Sequence, residues 1–203
     1  MTPEAAAREM AGMSTATISD ALFRMGHKNR TMKPRIKPVD PGMRLFGPAL
    51  TVHAYPGATH GSSLALKAVK PGEVIVMDVG GFTDNIMWGE IFSHMAAVAG
   101  CAGAVIDGSV RDIEGVMEIN FPLFAAGISP QAGTGDKLGE IGIPVACGGV
   151  VVTPGDFVYG DRLGVVVVAP EMTEETLDWC RQIIEKETAT LAKLKAQLAE
   201  MGR

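Results

Sequence analysis

Two short and almost wholly apolar runs constrain the fold of this chain most. Residues 73–79 and 103–107 have the length and apolar content of buried strands, and a glycine follows each run. Between them, residues 86–99 carry apolar side chains at helical spacing. A strand–helix–strand unit joins parallel strands, because a parallel pair needs a long crossover connection. The pattern therefore predicts an α/β protein with parallel strands at its centre.

The rest of the sequence predicts short strands between an N-terminal helical segment and a long C-terminal helix. The 25 glycines and 12 prolines fall between short apolar runs, which is typical of chains with many strands and tight turns. We expect a single domain over residues 1–203. The predicted helices span residues 3–25, 62–69, 86–99, 113–118 and 173–200. The predicted strands span residues 44–54, 73–79, 103–107, 123–127, 144–147, 150–152, 156–160 and 164–169.

Composition and charge argue against several classes of function. The chain has 18 basic and 23 acidic residues, and this net charge of −5 argues against a nucleic-acid partner. No apolar run approaches the roughly 20 residues that a membrane span needs. The first residues also lack the basic-then-apolar pattern of a secretory signal. We therefore expect a cytoplasmic protein that does not interact with a membrane.

The cysteines and histidines form no recognisable metal or disulfide motif. Cys101, Cys147 and Cys180 are far apart and contain no CxxC pair, so we expect buried thiols in a reducing compartment. The four histidines form no HxH or HExxH pattern, which argues against a metal site built from histidine. If a metal binds, its ligands are expected to be carboxylates.

Two glycine-rich loops are the expected floor of a ligand pocket. They span residues 80–90 and 108–112 and follow the two strands of the predicted parallel pair. Parallel strands place both loops at the same edge of the sheet, where open α/β sheets bind ligands. Arg111 can hold a carboxylate through two parallel hydrogen bonds, and Asp112 can hold a divalent cation. A helix that begins after Gly89 would also present free N–H groups to an anion.

Each of these charged residues also has a structural interpretation. Arg111 can form an ion pair with Asp112 or Asp107 instead of clamping a substrate. Asp112 can cap the helix predicted at residues 113–118, which is the more frequent role of an aspartate at such a junction. Glu90, in the first turn of a helix, can simply stabilise the helix dipole. The residues alone indicate a pocket that holds an arginine, an aspartate and a glutamate.

Several stretches of the chain match the motifs of a known family. The most specific signal combines Trp-Gly-Glu at 88–90 with Asp-Gly-Ser-Val-Arg-Asp at 107–112. With these motifs, residues 14–170 resemble the RraA-like superfamily. That superfamily includes the 4-hydroxy-4-methyl-2-oxoglutarate / 4-carboxy-4-hydroxy-2-oxoadipate aldolases and the regulator of ribonuclease E activity. The other matching stretches are 17–22, 47–52, 103–106, 148–150 and 154–156.

The resemblance implies an architecture and an assembly. The expected fold is a swivelling β/β/α three-layer domain, and the expected assembly is a trimer or a dimer of trimers with active sites at subunit interfaces. An acidic residue from a neighbouring subunit's C-terminal segment contributes to the site in the aldolases. Glu185 or Glu187 is the expected counterpart in this chain.

The resemblance also implies a role for each residue of the predicted pocket. Asp112 would bind Mg²⁺ or Mn²⁺, and Arg111 would grip the carboxylate of a pyruvyl group. Glu90 would hold metal-bound water. The backbone around Gly89 and the amides of the two residues after Glu90, which are Ile91 and Phe92, would help to bind the pyruvate moiety.

The resemblance therefore predicts a lyase. The expected reaction is the metal-dependent, class II cleavage of a 4-hydroxy-2-oxo acid to pyruvate and a second oxo acid. Oxaloacetate decarboxylation is an expected side activity because it passes through the same pyruvate enolate. The alternative is a non-catalytic protein that regulates a ribonuclease E-type enzyme by binding to it.

Overall fold

The computed structural model describes residues 1–135 and 139–201 of the chain, in which helices and strands alternate as expected of the α/β class. The strands are β1 (Lys37–Pro38), β2 (Leu45–His53), β3 (Val74–Asp78), β4 (Ile86–Trp88), β5 (Gly103–Val110), β6 (Leu123–Ile128), β7 (Glu140–Ile141), β8 (Val145–Cys147), β9 (Val150–Val152), β10 (Phe157–Asp161) and β11 (Gly164–Val168). The helices are α1 (Pro3–Met10), α2 (Thr15–Arg24), α3 (His60–Ala68), α4 (Glu90–Val98), α5 (Ile113–Glu118) and α6 (Thr173–Glu200), with a 3₁₀ turn at Pro170–Met172.

The main sheet has a parallel centre and antiparallel margins. Its strand order is β1-β6-β5-β3-β2-β10-β11, and β2, β3, β5 and β6 are parallel to one another. Strand β5 is buried along its whole length, as a central parallel strand must be when both sheet faces are covered. The β3–α4–β5 unit is the predicted strand–helix–strand crossover, which the parallel pairing of β3 with β5 confirms.

The segment before β1 brings the two ends of the sheet together into a near-barrel. Met32 N–H donates to the Val165 carbonyl at 2.9 Å, and Thr31 pairs with Val166 in an antiparallel bridge. The Lys37 ammonium donates to the Leu163 carbonyl at 2.6 Å. Strand β1, at one end of the sheet, therefore lies beside β11 at the other end.

The buried side chains form two clusters on different parts of the sheet. The larger cluster packs the parallel strands against α3, α4 and α5 and includes Trp88, Ile106 and Phe124. The second cluster packs α1, α2 and the first part of α6 against β10 and β11. The N-terminal helical segment and the long C-terminal helix thus share one core. Both pack on the antiparallel end of the sheet.

Three of the differences from the sequence-based predictions have a clear physical cause. The helix predicted over residues 3–25 is two helices, because the Ser14 side chain accepts a hydrogen bond from Ala16 N–H and starts α2 anew. The helix predicted over residues 86–99 begins only at Glu90, since residues 86–88 are buried as β4 beside β5. Strand β5 does not end at Gly108. A Cβ there would lie 2.5 Å from Val79 Cγ2, so close packing explains this glycine.

Helix α6 extends well beyond the second cluster. Ile183 is the last of its buried residues, and the side chains from Ile184 to Met201 are exposed. Among the described helices, none combines the length and the apolar character that crossing a membrane requires. The α/β class, the N-terminal helical segment and the long C-terminal helix are confirmed.

Candidate active site

The Trp88 side chain anchors the corner where β4 leads into α4. Its buried indole lies 5.4 Å from the Phe92 ring, centroid to centroid, and donates Nε1–H to Ser93 Oγ at 2.9 Å. Ser93 in turn donates to the carbonyl of Gly89, the residue that precedes α4. These contacts fix the start of the helix. The Glu90 carboxylate and the unpaired N–H groups of the first turn therefore have a defined direction.

A backbone hydrogen bond joins this corner to the end of β5. Arg111 N–H donates to the Trp88 carbonyl at 3.1 Å. Gly89 lies so close to the next loop that a Cβ on it would be 3.2 Å from Asp112 Oδ2 and 3.5 Å from Arg111 Cγ. The two loops that the sequence analysis assigned to one sheet edge are therefore in contact, and Gly89, Arg111 and Asp112 are neighbours in space.

Asp112 has an unusual backbone conformation for a residue with a side chain. Its φ and ψ angles are 52° and 43°, in the left-handed region, and it stands at the N-cap position of α5. Its side chain makes no capping hydrogen bond, so the cap interpretation does not account for the carboxylate. Backbone strain of this kind is concentrated at functional sites.

Arg111 makes one of the two ion pairs that the sequence allowed. Its Nε–H donates to Asp112 Oδ2 at 3.1 Å, and both side chains are about half exposed. The other possible partner, Asp107, is buried and already held by Arg35, whose Nη2 lies 2.7 Å from Asp107 Oδ1. Over the described residues, the terminal amino groups of the Arg111 guanidinium have no partner within the chain. They remain able to bind a carboxylate.

The Glu90 side chain lies across α5. A Cβ at Gly115 would overlap the Glu90 carboxyl group, so the two residues touch where α4 packs on α5. Helix α5 begins immediately after Asp112. Glu90 therefore contacts α5 at Gly115, three residues after Asp112.

Several further residues complete the pocket around this ion pair, and the sequence analysis did not single them out as ligand contacts. The pocket has a volume of about 350 Å³ and lies between the start of α5 and the carboxyl end of β6. The signal that could have found its far wall is the parallel pairing of β5 with β6, which brings the residues after β6 to the same edge. Its lining comprises Arg111, Asp112, Ile113, Glu114, Ile128, Ser129 and Pro130.

The remaining predicted site residues lie at or beyond the margin of this pocket. Ile91 and Phe92 are in the first turn of α4; the Ile91 side chain points into solvent, and Phe92 packs against the core. Glu185 and Glu187 lie on the exposed part of α6 and do not line the pocket. Within one chain, Gly89 contacts Arg111 and Asp112, and Glu90 packs against Gly115. Neither Gly89 nor Glu90 lines the pocket itself, and the two glutamates of α6 lie apart from it.

The donor set of the pocket fits a hard cation with many waters. Within residues 1–135 and 139–201, no group of three or more His, Cys, Asp or Glu side chains is arranged to hold a metal ion. Zinc sites need three or four protein ligands, whereas Mg²⁺ usually keeps several waters and binds through one or two carboxylates. Asp112, as a single exposed carboxylate, fits Mg²⁺ or Mn²⁺ and does not fit zinc.

The cysteines are not candidates for a nucleophile. All three are buried, as predicted. Burial raises the pKa of the Cys147 thiol well above its ordinary value, and the nearby Asp107 and Asp78 carboxylates raise it further. A thiol that stays protonated is a poor nucleophile, so Cys147 is not a candidate for nucleophilic catalysis.

Comparisons with known proteins agree with this fold. The family model RraA-like, described as Aldolase/RraA, matches residues 15–167. The chain belongs to the RraA-like family. It is 36% identical over 163 residues to a Halalkalibacterium halodurans protein named "Putative 4-hydroxy-4-methyl-2-oxoglutarate aldolase", a match that covers 80% of this chain and 76% of that one.

Two solved structures share the architecture over nearly the whole chain. An uncharacterized protein from Pseudomonas syringae pv. tomato superposes with a TM-score of 0.83 at 30% identity, covering 95% of this chain and 93% of that one. RraAS2 from Streptomyces coelicolor is described as an unusual member of the RNase ES inhibitor RraA protein family. It superposes with a TM-score of 0.79 at 27% identity, covering 96% of this chain and all of that one.

Proposed function

We propose that this protein is a divalent-metal-dependent pyruvate aldolase. Its substrate would be a 4-hydroxy-2-oxo acid of the 4-hydroxy-4-methyl-2-oxoglutarate type, cleaved to pyruvate and a second oxo acid, with oxaloacetate decarboxylation as a side activity. The observation that carries the proposal is the contact of Gly89 with the Arg111–Asp112 pair at the carboxyl edge of a parallel sheet. In this proposal, Arg111 is the carboxylate clamp and the adjacent Asp112 is the metal ligand.

The predicted site residues around the Arg111–Asp112 pair have the following roles in this reaction. The terminal amino groups of Arg111 bind the substrate's 1-carboxylate, and they stabilise the negative charge that develops when the C–C bond breaks. Mg²⁺ or Mn²⁺ held by Asp112 supplies Lewis-acid stabilisation of the 2-oxo group when bound. The Glu90 carboxylate, which accepts no hydrogen bond from the described residues, takes up the proton of the 4-hydroxyl group through a water. The N–H groups of Ile91 and Phe92 orient the pyruvyl end.

Pyruvate release tests this proposal directly. The wild-type protein should release pyruvate from 4-hydroxy-4-methyl-2-oxoglutarate and from oxaloacetate with Mg²⁺ or Mn²⁺ present, and EDTA should abolish it. Asp112→Asn removes the charge and keeps a residue that tolerates the left-handed conformation, so it should lose activity by a factor on the order of 10²–10³. Glu118→Gln, an exposed change on the same helix, is the matched control and should leave the rate unchanged.

Two outcomes would overturn the aldolase proposal. One is pyruvate release that survives both EDTA and Asp112→Asn. The other is no turnover together with a stable complex between this protein and a ribonuclease E-type scaffold, which would establish the regulator alternative. RraAS2 bears a name of that kind. The Arg111–Asp112 ion pair, in contact with Gly89 at the start of α4, favours the enzyme.

We propose in addition that the protein works as a homo-oligomer, a trimer or a dimer of trimers. Two exposed apolar stripes support this assembly. Ile91, Met95 and Val98 follow one face of α4 beside the pocket, and Leu191 and Leu198 lie seven residues apart on the exposed part of α6. Glu185 or Glu187 of a neighbouring copy would then reach the pocket.

A further inference from the structure

We infer that Gly115 is a positioning residue for Glu90. A Cβ on Gly115 would overlap the Glu90 carboxyl carbon and would lie 2.5 Å from its Oε2 and 2.6 Å from its Cγ. Three atoms of one side chain therefore occupy the space that any residue other than glycine would fill. This inference rests on the proposed function only for the role of Glu90; the contact itself belongs to the fold.

The backbone does not explain this glycine. Gly115 is the third residue of α5, and its φ is not in the left-handed region that favours glycine. Inside a helix, glycine lowers stability relative to alanine. Helix α5 has only 6 residues, and helix propensity gives no reason for a glycine within it. The compensation is the space that the glycine leaves for the carboxyl group.

The Glu90 carboxylate is not held in place by a hydrogen bond from any of the described residues. Over the described residues, no donor lies within hydrogen-bonding distance of the Glu90 carboxylate. Only the backbone carbonyl of Glu90 is engaged, by the His94 ring. The carboxylate is consequently located by packing: α5 provides a buried hollow at Gly115, and the side chain lies in it.

A methyl group at position 115 should move Glu90 and leave the fold intact. The three nearest atoms that it would meet all belong to the partly exposed side chain of Glu90. Rotation of Glu90 relieves the overlap at little cost, and alanine raises the helix propensity of α5. Gly115→Ala thus separates the position of the carboxylate from the stability of the protein.

The experiment is a double-mutant cycle with Gly115→Ala and Glu90→Ala. Gly115→Ala should lower kcat for pyruvate release by a factor on the order of 10², the loss expected from a misplacement of about 1 Å, with little change in KM. In the Glu90→Ala background, adding Gly115→Ala should have no further effect, because there is no carboxylate to displace. The unfolding midpoint of Gly115→Ala should equal or exceed that of the wild type.

A control and a second measurement keep the inference testable on its own. Gly12→Ala places a methyl group where the nearest atom is 4.0 Å away and should change nothing. A crystal structure of Gly115→Ala should show the Glu90 carboxyl group outside the hollow, whether or not the protein releases pyruvate. The inference is overturned if Glu90 keeps its place there, or if Gly115→Ala lowers kcat equally with and without Glu90. Absence of wild-type turnover would overturn only the proposed reaction.

Discussion

At the scale of single residues, Asp112 has a backbone conformation that lowers the stability of the folded protein. Its left-handed backbone is disfavoured for any residue with a Cβ, by roughly 1–2 kcal/mol in general and less for aspartate or asparagine. Glycine would avoid this cost, and Asn120 shows the same conformation at the other end of α5 without any place in the pocket. An aspartate at position 112 is thus explained by its carboxylate and not by its backbone.

Asp112→Gly should therefore abolish activity while raising the free energy of unfolding by up to about 1 kcal/mol, because the backbone strain is relieved. Denaturant unfolding beside the pyruvate assay measures both effects. Asn120→Gly is the matched control, which should show a similar gain in stability with full activity. A clear loss of stability in Asp112→Gly would instead mean that the Asp112 carboxylate has a structural role.

At the scale of elements, one carboxylate connects the N-terminal helices to the sheet. Asp161, at the end of β10, accepts hydrogen bonds from Thr15 N–H at 2.8 Å, from the Thr15 hydroxyl at 2.7 Å and from Leu163 N–H at 2.8 Å. Burial raises the pKa of Asp161, but these hydrogen bonds outweigh burial and lower the pKa below its ordinary value. The first turn of α2 is therefore held by a buried, charged carboxylate.

Asp161→Asn should destabilise the protein by about 2 kcal/mol at pH 7, since hydrogen bonds to a charged acceptor are replaced by weaker ones. A carboxylate whose pKa is lowered on folding stabilises the folded state above its unfolded pKa, and that stabilisation is lost as the pH falls through the folded pKa. The difference between the variant and the wild type should therefore shrink below about pH 4. Asp178→Asn, at an exposed surface pair, is the control; a pH-independent difference for Asp161→Asn would contradict the prediction.

Elements that depend on local periodicity could be predicted from the sequence, and those that depend on remote packing could not. Helix α5 has the bounds predicted for it, and the β3–α4–β5 unit follows from its apolar runs. The sequence wrongly predicts helix for the residues of β4, because their apolar side chains continue the pattern of α4. Pairing with β5 in the buried sheet makes these residues extended. The hollow at Gly115 could not be predicted, because the sequence shows only a residue of low helix propensity within a short helix.

At the scale of the whole molecule, the chain exposes apolar surface that its own core does not cover. The second half of α6 makes no buried contact, and an isolated helix of this length is marginally stable in water. Apolar side chains seven residues apart lie on one face, as in helices that pack against a partner helix. The proposed trimer or hexamer would supply the missing contacts.

Replacing Leu191 and Leu198 together with glutamate should therefore shift the protein from an oligomer of three or six copies to smaller species, because charges on this face oppose association. Light scattering after size-exclusion chromatography measures the mass, and circular dichroism monitors the fold. Lys193→Glu introduces the same charge on a different face of α6 and should leave the mass unchanged. An unaltered mass in the double variant would show that this stripe is not an interface.

The ion pair beneath the pocket also constrains how the chain folds. Asp107 receives its hydrogen bonds from Arg35 and from Gly148 N–H, which are 72 and 41 residues away in sequence. A buried carboxylate without such partners costs several kcal/mol, so an intermediate that assembles β5 before these segments arrive is strongly disfavoured. Contacts of such separation also slow folding. The central sheet should therefore form late and in a single cooperative step, with few half-assembled chains accumulating on the way.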